Sequence, residues 1–187
     1  RSVRLRAWIS PLAEPYASKR SKEMDTIKFI IEEYIDEEFG FRFPTNNIYI
    51  NHENLIHLVE QVERAYRAPI QPNEPFRQSY VGLPTSYYRG YRNEFLGKTG
   101  RPVSVLLVCT CLEELCNSIV AQIKINSKTV TWSEIRSPFL GGEVERWVSE
   151  EDSQIADGYP IDYSNLGPFV FDREQYMHAL NALEQSG

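Results

Sequence analysis

The stretch from Val103 to Ser133, VSVLLVCTCLEELCNSIVAQIKINSKTVTWS, constrains the fold more than any other part of the chain. Val105 to Cys109 form the strongest uninterrupted apolar run. A run without polar alternation predicts a strand covered on both faces. Ile119, Ala121, Ile123 and Ile125 then alternate with Gln122, Lys124 and Asn126, the pattern of a strand with one wet face. Asn126-Ser127-Lys128 supplies a tight turn, after which Val130 and Trp132 continue the apolar face. These residues predict three strands in an antiparallel meander over 103–133.

Around this centre the periodicity predicts three helices. Met24, Ile27, Ile30, Ile31, Tyr34 and Ile35 recur three and four apart against Glu32, Glu33, Asp36 and Glu37, which reads as an amphipathic helix near 22–38. Ser21 is its expected N-cap and Gly40 the residue past its end. Ile48 to Ile50 read as a short strand leading into a second helix near 52–66, with Asn51 as cap and Ile50 and Leu55 as a hydrophobic staple. Phe171, Asp172, Gln175 and Tyr176 carry the signature of a third helix, near 173–184, with Asp172 as its cap. Val3, Leu5, Ala7 and Ile9 alternate with Arg4, Arg6 and Trp8, as in an edge strand. The expected architecture is thus a single α+β domain over 1–187: one central antiparallel sheet of four or five strands, with three helices mainly on one face.

A net charge of −6 disfavours non-specific adhesion to nucleic acid or anionic membrane, so neither is an expected partner. No segment reaches the roughly 20 apolar residues of a membrane span. The start, RSVRLRAWISPLAEPY, has positive charge without an apolar core, so no secretory signal is expected. Three cysteines is an odd count, which speaks against a disulfide framework and for a reducing, cytoplasmic setting.

Two irregular stretches stand out. Residues 68–101 hold four prolines and place Arg77, Arg89, Arg92, Lys98 and Arg101 among tyrosines; residues 137–160 place six acids against Arg146, with Trp147 beside it. Long connections of this kind are often functional. Tyrosine, tryptophan and arginine are the residues that anchor protein interfaces. Tyr87, Tyr88, Arg89, Tyr91, Arg92 and Trp147 are therefore the expected protein-binding surface. The acids between Glu32 and Glu38 read as a solvated helix face, because on a helix they do not converge.

Several segments, IYINHENLIHLVEQVE, SYVGLP, EFLGKTG, LLVCTCLEELCNSIVAQIKINSKTVTWSEIRSP and DYSNLGPFVFDREQYMHALNAL, together cover most of residues 48–183. In this order they resemble a family of uncharacterised bacterial proteins. The chain departs from that pattern at Leu112 and Asn117, where the family carries glycine and tryptophan. It departs again at Phe139 and Leu140, where a histidine or arginine is usual, and Phe139 to Pro160 is longer than usual. The resemblance implies a shared fold and a bacterial origin; it brings no activity, ligand or catalytic residue.

Cys109, Cys111 and Cys116 are the one dense cluster of soft ligands. Burial as small apolar filler in the sheet is the leading reading. A cross-strand Cys111–Cys116 bond ranks next. Zinc would need His52, His57 or His178 as a fourth ligand, and the second close-spaced ligand pair of a structural site is missing. His52 and His57 lie five apart, which puts them on different helix faces. No phosphate loop, G-x-S-x-G or H-E-x-x-H occurs, so neither catalysis nor a cofactor is expected. The reading that remains is a non-catalytic module that binds another protein, as an immunity protein, adaptor or regulator does. The alternative is an enzyme or zinc protein built on the three cysteines.

Overall fold

The computed structural model describes residues 24–36, 40–67, 80–86, 92–93, 95–98, 103–112, 118–137 and 161–184. Its order is β1 (Ile27–Ile35), β2 (Arg42–Ile50), β3 (Glu53–Asn54), α1 (Leu55–Arg67), β4 (Tyr80–Val81), β5 (Leu83–Pro84), β6 (Ser104–Cys109), β7 (Ile119–Ile125), β8 (Thr129–Arg136), β9 (Phe169–Asp172) and α2 (Arg173–Glu184).

Two antiparallel sheets organise these elements. In the first, β1 lies against β2, and both β3 and β5 pair with β2; the second runs β4-β6-β7-β8-β9. This overturns the expected single sheet with three helices on one face, since the described residues hold two helices and two sheets. The error lies at residues 22–38. Ile27 to Ile35 form a nine-residue strand, in unbroken register with β2 from Ile27↔Ile50 to Ile35↔Arg42. The sequence IKFIIEEYI fits helical spacing by its apolar positions, but its isoleucines and aromatics favour a pleated surface. Long-range pairing then decides between the two. Gly40, expected at a helix end, instead sits in the hairpin turn at φ 73°, its N–H donating to the Asp36 carbonyl at 2.8 Å.

The connection from β2 to α1 also differs in detail. The helix begins at Leu55, after Asn51 and His52 in left-handed conformations, and Asn54 is its cap, its Oδ1 accepting from the Ile56 N–H at 2.9 Å. Asn51 is used elsewhere: its Oδ1 accepts from the Thr26 N–H and its Nδ2 donates to Asp25 Oδ1, each at 2.8 Å. Asp25 ties the two sheets together. Its N–H donates to the Val170 carbonyl and its Oδ2 accepts from the Val170 N–H, both at 2.7 Å.

At α2, Asp172 caps as expected, its Oδ1 accepting from the Gln175 N–H at 2.9 Å. The Gln175 side chain does not complete a capping box. It donates to the Ile27 carbonyl at 2.7 Å, where β1 starts, and so fixes α2 beside β1. One cluster of buried residues draws on both sheets and both helices. Aromatic rings knit its centre: Trp132 lies 5.3 Å from Phe171, 5.9 Å from Phe95 and 6.1 Å from Tyr176, and Phe29 of β1 lies 5.6 Å from Phe95. The expected strand Val3–Ile9 and the acidic stretch from 138 to 160 lie outside the described residues.

Candidate functional site

In the antiparallel register Lys28, Ile30, Glu32 and Tyr34 of β1 share a sheet face with Tyr49, Asn47, Thr45 and Phe43 of β2. This face is not the one that carries Ile27, Ile48 and Ile50 into the core. The start of α1 and the β4–β5 segment stand over it, and together they enclose a groove of about 380 Å³. Glu32, Tyr34, Thr45 and Asn47 form its sheet wall; Ile56 and His57 of α1 and Gly82 form the other side. Gly82 has to be glycine, because a Cβ there would stand 2.6 Å from the Asn46 carbonyl oxygen and run into the Asn47 Oδ1.

A hydrogen-bonded set fixes the polar wall. The Asn47 Nδ2 donates to Glu32 Oε2, and the Tyr49 hydroxyl donates to both Glu32 oxygens at 3.0 and 3.2 Å. The Thr45 hydroxyl donates to the Glu32 carbonyl at 3.2 Å. Partial burial raises the Tyr49 phenol above its ordinary value and its bond to Glu32 adds to this, while Asn54 acts against it. Burial also raises Tyr34, with Asp36 adding to the effect. The Tyr34 ring is held against Phe43 at 5.1 Å. Glu33 forms a solvent-exposed pair with Arg42 at 3.7 Å, an arrangement that contributes little.

A second carboxylate cluster holds the far end of α1. Glu63 is fully buried, and its Oε1 accepts from the Tyr80 and Tyr163 hydroxyls, each at 2.7 Å. Tyr80 belongs to the edge strand β4 and Tyr163 to the segment before β9, so this contact fastens α1 to the second sheet. Burial pushes the Tyr163 phenol far up, and the neighbouring Tyr80 and Glu63 push it further. Asp162 beside it is held below the usual carboxylate range by the Ser164 hydroxyl and N–H.

Of the protein-binding surface expected from the sequence, Arg92 is described: its Nη2 donates to Asn181 Oδ1 on α2 at 3.0 Å. Tyr87, Tyr88, Arg89, Tyr91 and Trp147 lie outside the described residues. Cys109 and Cys111 are joined by a disulfide. Cys109 is buried in the core, as the filler reading expects, whereas Cys111 is exposed, and the bond takes the place of the expected Cys111–Cys116 pairing. Cys116 lies outside the described residues. His57 lines the groove, while His52 and His178 are exposed elsewhere, and the described residues contain no group of three or more metal-ligating side chains.

The sequence reading missed Glu32, Thr45, Asn47 and Tyr49. Treating β1 as a helix scattered its acids over a solvated face. The signal that finds them is the alternation Phe43, Thr45, Asn47, Tyr49 across nine residues of β2, matched residue by residue to β1.

The molecule is an α+β protein with a polar groove, and none of its described helices is long and apolar enough to cross a membrane. No protein-family model, curated protein or solved structure matches the chain.

Proposed function

We propose that this chain is a non-catalytic module that binds another protein through the β1–β2 hairpin and the groove beside it. The observation that carries this reading is where apolar surface is left in the open. Met24, Ile30, Ile35 and Phe41 are the large exposed hydrophobic residues among those described, and all four belong to residues 24–41, with Phe41 64% exposed. Single exposed apolar residues are ordinary, but a group confined to one hairpin marks an interaction surface. Ile30 stands on the same sheet face as Glu32. Ile30 thus borders the polar groove, while Ile35 stands on the opposite face of β1 and Met24 and Phe41 lie beyond its two ends; apolar side chains beside polar ones are the combination that a protein interface uses.

A photo-crosslinking residue introduced at Ile35 or Phe41, with Lys124 of β7 as control, tests this in a lysate of the source cell. A discrete adduct from the hairpin positions, absent from the control and competed by excess unmodified protein, supports the reading. Equal labelling from all three positions overturns it.

A further inference from the structure

The groove's hydrogen bonds reveal what it offers a ligand. The Tyr49 hydroxyl hydrogen is directed at the Glu32 carboxylate, and the Thr45 hydroxyl hydrogen at the Glu32 carbonyl. Asn47 turns its Nδ2 to the same carboxylate. Asn54 binds the Tyr49 oxygen with its side chain while its Oδ1 accepts from Ile56. The donors are thus turned inward. Left on the sheet wall of the groove are acceptors, the remaining lone pairs of the Glu32 carboxylate and of the Thr45 hydroxyl, while the Asn47 Oδ1 is packed against Gly82. Asn47 is nine-tenths buried, and its Oδ1 has no hydrogen-bond partner among the described residues.

From this we infer that the groove receives the guanidinium of an arginine side chain on the partner protein. The proposal deepens the binding reading above and rests on it. A carboxylate with neighbouring neutral acceptors matches a planar cation with five N–H donors and no acceptor. Tyr34 stands two residues from Glu32 on the same face, braced by Phe43, and offers an aromatic surface to such a cation. Ile56 and Val81 on the opposite side supply apolar contact for the aliphatic stem. A lysine ammonium carries the charge on three donors without the planar fork and should bind more weakly. A phosphate or carboxylate ligand is repelled by Glu32.

The test titrates the full chain with capped Gly-Arg-Gly and its lysine and citrulline counterparts, followed by amide resonances of Thr45, Asn47 and Gly82. The arginine peptide is expected to shift these resonances and to bind at least threefold tighter than lysine. Citrulline, which keeps the shape and loses the charge, should bind at least tenfold more weakly. Glu32→Gln, with its fold checked by circular dichroism, should cost the arginine peptide tenfold or more; Thr45→Val, which leaves the carboxylate untouched, should cost it about threefold. Equal binding of citrulline and arginine overturns the proposal, as does equal binding of lysine, or undiminished arginine binding to Glu32→Gln. Crosslinking from Ile35 and Phe41 that persists when the arginine peptide fails to bind removes this inference and leaves the binding reading standing. Loss of the hairpin adduct with retained arginine binding overturns the protein-binding reading and, with it, the assignment of that arginine to a partner protein.

Discussion

The molecule contains a related arrangement twice, a glutamate carboxylate accepting from two tyrosine hydroxyls at Glu63 and from one tyrosine and one asparagine at Glu32, and the two do different work. Around Glu63 the carboxylate and both phenols are buried between α1, β4 and the segment before β9. Around Glu32 the carboxylate and Tyr49 are half-buried on the wall of a groove. In the dry cluster each bond is irreplaceable, because water cannot substitute for a lost partner. In the groove cluster water can, so the stabilisation is small and the carboxylate stays available to a ligand. Burial, not residue identity, separates a structural fastening from a site. The two are mechanically linked, since Glu63 fixes the helix whose first turn supplies Ile56 and His57 to the groove.

The largest effect that tests this contrast is at Glu63. Glu63→Ala is expected to lose about 2–5 kcal/mol of unfolding free energy, because two buried phenols lose this acceptor at once. Denaturant titration measures it, and a loss no greater than that of Glu32→Ala would remove burial as the distinguishing cause. Next comes Gly82→Ala, expected to cost about 1–3 kcal/mol by overpacking. Its Cβ meets the Asn46 backbone, which cannot move without disturbing the pairing of β2 with β5. Both variants should also perturb the resonances of the groove, one by loosening α1 and the other by pushing on its floor.

The phenols give a pH readout of the same difference. Tyr163 has its folded-state pKa raised above the unfolded value of 10.0. The native state therefore holds the proton more tightly than the unfolded chain does. That contribution is fully present below about pH 10 and is lost as pH rises beyond it, because the unfolded state ionises first. Stability should fall on the alkaline side, and absorbance at 295 nm should report Tyr163 ionising together with loss of the circular dichroism signal. Tyr163→Phe should flatten the alkaline slope while lowering stability at neutral pH by about 1 kcal/mol, the value of one hydrogen bond. Tyr49 is shifted in the same direction by partial burial and Glu32, yet at the groove wall it should titrate within the folded state. Ionisation of Tyr163 with the native spectrum intact would contradict its placement in a dry cluster.

Which of these features the sequence discloses depends on whether its local pattern has one solution. Val105 to Cys109 admits little but a buried strand, and β6 occupies Ser104–Cys109. Asp172 can cap only the helix that follows it, and it does. Residues 24–38 have two solutions, because isoleucines at 27, 30, 31 and 35 satisfy a helical stripe as well as a strand. The choice is made by β2, whose pairing lies up to 23 residues away at Ile27↔Ile50 and leaves no mark on the local periodicity. The site inherits that ambiguity, since Glu32 meets Asn47 and Tyr49 only once the hairpin is formed. The Glu63 cluster is harder still to read, because Glu63 and Tyr163 are 100 residues apart and a glutamate on a helix ordinarily faces water.

The smallest expected effect on stability is the most informative about function. Glu32→Gln keeps the side-chain shape and an acceptor oxygen for Asn47 and Tyr49, so its cost in unfolding free energy should stay within about 0.5 kcal/mol, as for a surface substitution. Removing the charge should nonetheless weaken a cationic ligand tenfold or more. A residue that serves only to hold the β1–β2 hairpin would change stability and binding together, whereas one that faces a ligand changes binding alone. Paired denaturation and titration of this variant thus place Glu32 on one side of the comparison. A loss of several kcal/mol would move it to the side of Glu63, and the groove would then be a by-product of packing with no carboxylate to offer.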